Sequence, residues 1–378
     1  MRSDVVIVGG GVIGLSIAYR LACEAIAVTV LDRGGVGREA SWAGAGMIPA
    51  NTERLFTNPT AELRSWSAVL YPDWSEALLE ETGIDNGYRR TGGVDVAFTV
   101  EEENDLRSMA GRWKSEGIVY ERLAPSEFGR VEPALNHALR VAYFLPDRAQ
   151  VRNPRHVRAL AVAAAKRGAR LRPGVGVRGF ETSGHQIIGV RTSEGLIPCG
   201  QVVVSAGAWT GELLERIGIS APTPPLRGQI VLLKSDRPIL KRIVEHGSNY
   251  LVPREDGHVL IGSTEEDVGF DTRTTALGVR GLIDEAFRLC PALAAAEVEK
   301  AWAGLRPGSI DTRPYIGPLP GFANAFVAAG HKRAGIQLSP ATAEVMTDLV
   351  LGRPPRIDLS TFHPGREPAE AGEQVFRS

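Results

Sequence analysis

Residues 4–23 read DVVIVGGGVIGLSIAYRLAC, and the order of parts within them decides the fold. Residues 4–9 are a short β-branched run, of the kind buried in a parallel sheet. Gly9, Gly11 and Gly14 then fit the pattern G-x-G-x-x-G. Ile13, Ile17, Ala18 and Leu21 follow at helical spacing, which predicts a helix over 12–24. A second β-branched run, AVTVLD, ends at Asp32, which is 18 positions after Gly14 (32 − 14), close to the ~20 that a dinucleotide-binding unit uses. In such a unit Gly9 permits a tight turn, Gly11 lets backbone approach a pyrophosphate, and Gly14 lets helix pack on strand. The helix N-terminus offers N–H groups and a positive dipole end to the phosphates. Asp32 accepts hydrogen bonds from ribose hydroxyls, and an acid there favours FAD or NAD over NADP. The bland alternative is a glycine-rich βα turn with no ligand. Strand, glycines, helix, strand and terminal acid in order weigh against it.

At 378 residues the chain exceeds the ~250–300 at which single cores stop growing, so two lobes are expected. Hydrophobic content of 43% and charged content of 23% suit a soluble globular protein. A net charge of −1 with no long run of like charge leaves no electrostatic footprint for nucleic acid. Cys23, Cys199 and Cys290 show no metal-ligand spacing. They suggest a reducing, cytoplasmic setting and no metal site. The N-terminal stretch has parts of a secretory or lipoprotein signal, but Asp4 interrupts its charged start and glycines interrupt its apolar part. No apolar span approaches the ~20 residues of a membrane helix, so no membrane partner is expected.

Further along, GGVDVAF (92–98) alternates as a strand does, and 100–117 reads as an exposed helix with acids early and Lys114 late. Residues 153–168 predict a helix stopped by Gly168. QIIGVRTSEG predicts a hairpin, and PLRGQIVLLKS, YLVPREDGHVLIG and VEKAWAGLRP predict strands, with a helix at 275–290 between them. Antiparallel hairpins here contrast with the βαβ start, so two lobes are interleaved along the chain.

After Asp32 comes RGGVGREASWAGAGMIP (33–49), whose small residues let a second extended molecule lie against backbone. Glycine fingerprint, terminal acid and an S-x-A-x-A-G-M loop in this order resemble the D-amino acid oxidase superfamily of FAD enzymes. QVVVSAGAWTGELL (201–214) resembles its second flavin-domain strand and helix, and WAGLRPGSIDTRPYIGPLP (302–320) its arginine-bearing strand and turn. GHKRAGI (330–336) resembles its flavin-facing loop. The likeness runs the length of the chain and is greatest to the glycine oxidase branch of thiamine biosynthesis.

The resemblance implies an α/β fold in which a glutathione-reductase-like FAD domain (1–85, 145–220, 322–364) is interleaved with an antiparallel-sheet substrate domain (86–144, 221–321), followed by a tail (365–378). It implies cofactor contacts at Gly9, Gly11, Val12, Ile13, Gly14, Asp32 and Arg33, and in the small-residue loop at Ala40, Ser41, Ala45, Gly46 and Met47. Val177 and Gly207 join them, as does the run His331, Lys332, Arg333, Ala334, Gly335, Ile336 and Gln337. Some sarcosine oxidases of this superfamily hold flavin through a cysteine. The matching segment here, LRPGSIDTRPYIG, has none, so non-covalent FAD is expected.

Arg306 ends a strand-like run, and by resemblance its planar fork pairs with an amino acid's carboxylate. Tyr250 would donate its hydroxyl near that carboxylate on the arm opposite Arg306, and Arg333 would also reach toward the substrate. Arg333 and a helix beginning near Gly335, with Pro340 in its first turn, would face the flavin's pyrimidine end, where negative charge develops on reduction. Amides of 334–337 would donate there. The sequence departs from its relatives at Lys332, where they have an aromatic residue, and at Ala334, where they have asparagine. On the residues alone, Arg306 also reads as a surface arginine, Tyr250 as a half-buried sheet tyrosine, and 331–333 as a basic loop in solvent. No catalytic base is evident, and hydride transfer from a neutral amine to flavin needs none at the carbon. The expected partners are a small amino acid substrate (glycine, sarcosine or a small D-amino acid), dioxygen, and the thiazole synthase that consumes glycine imine. A homo-oligomer, a tetramer by analogy, is also expected. Two other readings stay open: a D-amino acid dehydrogenase that passes electrons to a quinone, and a flavin-binding module without turnover.

Overall fold

The structure, a computed structural model, describes residues 3–50 and 58–367. Strand Ser3–Val8 lies in parallel between Val28–Asp32 and Gly195–Val204. Arg170–Pro173 extends this sheet beyond Val28–Asp32, and Ala325–Ala329 extends it on the other side, both also in parallel. Tyr315–Pro318 closes that edge antiparallel, and a hairpin of Val177–Ser183 with Gln186–Thr192 branches from Gly195–Val204. Val5 to Val8 are buried on both faces, which explains why they are apolar without alternation. Helices Val12–Cys23, Asn153–Lys166, Pro59–Thr82 and Gly335–Val350 pack against one another as one layer beside this sheet.

A second eight-stranded sheet runs Glu297–Pro307, Pro225–Lys234, His258–Gly262, Asn249–Pro253, Ile243–His246, Gly93–Ala97, Val141–Leu145, Glu121–Leu123. Neighbours are antiparallel except Ile243–His246 with Gly93–Ala97, which run parallel because two separate chain segments meet there. That junction carries a buried ion cluster. Arg148 Nη1 lies 2.5 Å from Asp95 Oδ1 and 2.9 Å from Glu245 Oε1. Helix Val100–Glu116 starts with a reciprocal cap between Thr99 and Glu102.

Helix Pro59–Thr82, to which the sequence analysis assigns no element, begins at Asn58, whose side chain accepts from Thr60 N at 2.9 Å. Pro72 in its interior hides it from a pattern reading, since proline normally ends a helix. Pro340 corrects a second expectation. The helix starts at Gly335, so Pro340 sits in its interior and not in its first turn. There it cannot donate to the Ile336 carbonyl. Tyr71 Oη donates to that carbonyl instead, joined by Ser339 Oγ at 3.0 Å, and Ser67 Oγ accepts the Ala341 N–H at 3.3 Å. The long helix thus repairs its neighbour's ladder. Most of the expected tail, from 368 on, lies outside the described residues.

Two outcomes follow. Tyr71→Phe should cost about 0.5–1.5 kcal/mol, the net worth of one hydrogen bond, since Ser339 Oγ still donates to that carbonyl. Pro340→Ala in that background should recover part of it by supplying an N–H; a denaturation midpoint unchanged in Tyr71→Phe would show that the hydroxyl contributes nothing. The second outcome concerns two histidines that burial pushes down, His156 to about 4 and His331 to about 3. Both stay neutral when folded, while the unfolded chain binds protons near pH ~6.5. Their contribution is therefore full above that pH and falls as the pH drops, by up to ~1.4 kcal/mol per unit for each histidine, while His246, raised by its bonds to Glu285 and Glu102, offsets part of that fall. Urea midpoints at pH 7, 6 and 5 check this, and equal values would contradict it.

Candidate active site

A cavity of about 760 Å³ opens at the carboxyl ends of the parallel strands and runs to the second sheet, within the size range of cofactor sites. Its first part is built by the opening turn. Gly9 takes φ +108°, and a β-carbon there would lie 2.4 Å from the Ser205 carbonyl oxygen. A β-carbon on Gly14 would lie 2.0 Å from the Gly9 carbonyl oxygen. Only Ser41 Oγ, at 3.1 Å, would stand near one on Gly11, so that glycine clears cavity space. Ser41 Oγ accepts the Val12 N–H at 2.9 Å and keeps its own proton to donate. Asp32 is held rigidly, with Oδ2 accepting from Gly10 N and Oδ1 from Gly34 N, each at 2.8 Å. Each oxygen retains a lone pair for a diol. Arg33 lies over the Trp209 ring at 3.5 Å beside it. A helix N-terminus for phosphates, a fixed acid for ribose and a cleared glycine fit an adenosine diphosphate moiety.

Residues 40–47, the short helix Ala40–Ala43 leading into strand Met47–Ile48, form the next wall, and other elements hold them by their carbonyls. Asn153 Nδ2 donates to Ser41 O at 2.9 Å, Trp302 Nε1 to Ala43 O at 2.9 Å, and Arg254 Nη2 to Ala45 O at 2.7 Å. Arg254 also donates to Val151 O at 3.1 Å and to Gln150. Burial lowers its pKa to about 9.

The far end lies on the second sheet. Tyr250 is paired across the ladder with Gly262, and Arg306 lies two residues beyond Gly304, the partner of Gly228. A β-carbon on Gly262 would lie 2.4 Å from Tyr250 Oη, and one on Gly228 would lie 2.2 Å from Arg306 Nη2. The two glycines therefore let two long side chains lie flat over the sheet. Arg306 Nη1 donates to Thr264 O at 3.0 Å and Nη2 to Ser263 Oγ at 2.5 Å. Each terminal nitrogen carries a second N–H for a ligand. Burial lowers the Arg306 pKa below the usual range, with Tyr250 opposing and the like charge of Arg333 adding.

The stretch 331–337 differs from three clustered cations. His331 is buried and neutral, with Nε2 3.2 Å from Thr342 Oγ1. Lys332, at φ +47°, places Nζ 3.0 Å from Glu265 Oε1, and Arg333 places Nε 3.1 Å from Glu265 Oε2. Burial opposes ionisation of Glu265, yet Lys332, Arg333 and Arg306 outweigh it and hold the carboxyl below its ordinary range. Of the amides expected to face the cavity, Ala334 N is spent on His331 O at 2.8 Å. No side chain caps the helix that begins at Gly335.

Of the cofactor and substrate residues read from the sequence, all line this cavity except Gly14. Gly14 is a packing glycine behind it, where the close Gly9 carbonyl leaves no room for a side chain. None of the three cysteines lines the cavity. Glu265, Ser263, Trp209 and Trp302's grip on the loop were missed. Trp209 lies within the strand-and-helix stretch 201–214; Glu265, in the run TEED after a strand, carries no local signal.

Residues 4–349 match the family DAO, FAD dependent oxidoreductase. The chain is 36% identical over 365 residues to glycine oxidase of Pseudomonas putida, covering 96% of this chain and 99% of that one. It is similar to the crystal structure of glycine oxidase from Geobacillus kaustophilus, with TM-score 0.93 and 37% identity over 97% of this chain and 100% of the other. It is also 33% identical to a bifunctional protein ThiO/ThiG of Trichormus variabilis, covering 97% of this chain and 55% of that longer one. The chain belongs to the DAO family of FAD dependent oxidoreductases, and FAD is its cofactor.

Proposed function

We propose that the protein oxidises small amino acids, glycine first and sarcosine or small D-amino acids beside it, with dioxygen as final acceptor. Glycine, water and dioxygen would give glyoxylate, ammonia and hydrogen peroxide. The observation that carries this reading is the pairing of Arg306 and Tyr250 over two glycines at one end of the cavity. A planar fork and a phenol there suit a carboxylate, and the α-carbon of an amino acid held so would lie toward the cofactor end.

Bound FAD supplies the acceptor for the hydride of that carbon. The chain's residues supply position and charge. Gly9, Gly11, Ser41 and Asp32 would hold the adenosine diphosphate, and 335–337 would present amides to the ring's pyrimidine end. Arg306 and Arg333 would fix the substrate carboxylate, with Tyr250 donating beside them. His331, Glu245 and Glu265 have base chemistry at this end, but each is neutralised or paired. The substrate amine would therefore lose its proton to water before reaction. The matching relative ThiO/ThiG of Trichormus variabilis supports a link to thiazole synthesis in thiamine formation, in which the imine would be consumed. A cavity without a lining cysteine supports non-covalent FAD.

The decisive experiment is an anaerobic titration of the yellow protein with glycine, sarcosine and D-alanine, followed by oxygen. Bleaching and then peroxide is expected; bleaching without peroxide would favour a dehydrogenase that serves a quinone, and no bleaching would overturn the proposal. Arg306→Lys should raise the glycine KM by ~10–100-fold, the scale of one lost bidentate contact of ~1.4–3 kcal/mol; an unchanged KM would remove Arg306 from the site. His331 titrates near 3 and Glu265 below its ordinary range, so neither changes charge above pH 6. The rate should then rise from pH 6 toward about 10 as the amine deprotonates, and a flat profile would count against hydride transfer from a neutral amine.

A further inference from the structure

Glu265 sits where the proposed function leaves an anion unexplained. It lines the cavity beside Arg306 and faces two more cations, one on each oxygen. Surface pairs of this kind contribute little, but this one joins different parts of the chain. Glu265 follows strand His258–Gly262 of the second sheet, whereas Lys332 and Arg333 precede the helix Gly335–Val350 beside the first sheet. The contact with Arg333 uses Nε, and both terminal nitrogens lie beyond it. An arginine held by Nε presents its Nη edge in a fixed direction. Lys332 carries a β-carbon at φ +47°, a strained conformation that persists only where neighbours over-determine it. Its bond to Glu265 is one such restraint. One carboxylate against Lys332, Arg333 and Arg306 leaves the group two charges positive, so an incoming carboxylate is still attracted.

We propose that Glu265 is a positioning residue for the substrate carboxylate: it clamps Arg333 through Nε and Lys332 through Nζ, so that two guanidinium groups, Arg333 and Arg306, meet the same carboxylate from fixed directions. This rests on the reading of the site as one for amino acids. It makes Glu265 act on binding through Arg333 and not on the hydride step. Burial notwithstanding, its surroundings keep it ionised at neutral pH.

A double-mutant cycle on the FAD-loaded protein tests it. Glycine KM and kcat are measured for wild type, Glu265→Gln, Arg333→Gln and the double variant. The Kd of acetate, a carboxylate with no amine to oxidise, is read from the flavin absorption of each. Glu265→Gln should raise glycine KM and acetate Kd about tenfold while kcat stays within about threefold, a pure binding loss. In the Arg333→Gln background the same change should move them less than about twofold, since coupled residues are not additive. Glu265→Asp, which keeps the charge, should lie between wild type and Glu265→Gln. Equal factors in both backgrounds, or a KM that falls when Glu265 is lost, would overturn the clamp, as would a wild type that binds no acetate. Should Glu265→Gln fail to load FAD, Glu265→Ala takes its place in the same cycle. Failure of glycine as a substrate while the acetate cycle behaves as expected would count against the proposed function and leave the clamp standing.

Discussion

The whole arrangement depends on one steric constraint, the approach of the first helix to the end of the first strand. A β-carbon at Gly14 would lie 2.0 Å from the Gly9 carbonyl oxygen, well inside van der Waals contact. Without side chains at those two positions the helix begins directly over the strand end, and its first turn opens into a cavity. Everything placed at that opening follows: Ser41 on the Val12 amide, Asp32 pinned by two backbone N–H groups, and space at Gly11 for a phosphate chain.

The far end of the same cavity obeys a related rule on a different scaffold. Glycine again removes bulk, at Gly228 and Gly262, but here it makes room for the protein's own Arg306 and Tyr250. Charge then organises what sterics allow. Burial weakens the hold of the Arg306 guanidinium on its proton, yet arginine stays ionised in proteins. Like charges at Arg306 and Arg333 are therefore a standing repulsion that an anion between them would relieve. His331 takes no part in that balance because burial keeps it uncharged.

What was readable in the amino-acid order was local. The strand–glycine–helix–strand–acid series at 4–32 is a contiguous pattern, each part constrained by its neighbours. The helices at 100–116 and 153–166 and the ladders at 225–262 have the right periods and stop signals. What was not readable depends on partners distant in sequence. Pro340 was placed in a first turn because nothing nearby shows that Tyr71 supplies the missing donor from 265 positions away. Residues 331–333 read as a basic loop because the burial of His331 is a property of the packed core. Glu265 stayed unseen because its meaning comes from Lys332 and Arg333, which lie far along the chain.

The small-residue loop has a consequence of its own. Its carbonyls at Ala43 and Ala45 are gripped by Trp302 and Arg254, both in or beside strands of the second sheet, while its Ser41 hydroxyl reaches the opening helix of the first. A single short segment is therefore tied both to the first helix and to the second sheet. An alteration at Trp302, which holds the Ala43 carbonyl, is therefore also felt through Ser41 at the Val12 amide of the opening helix.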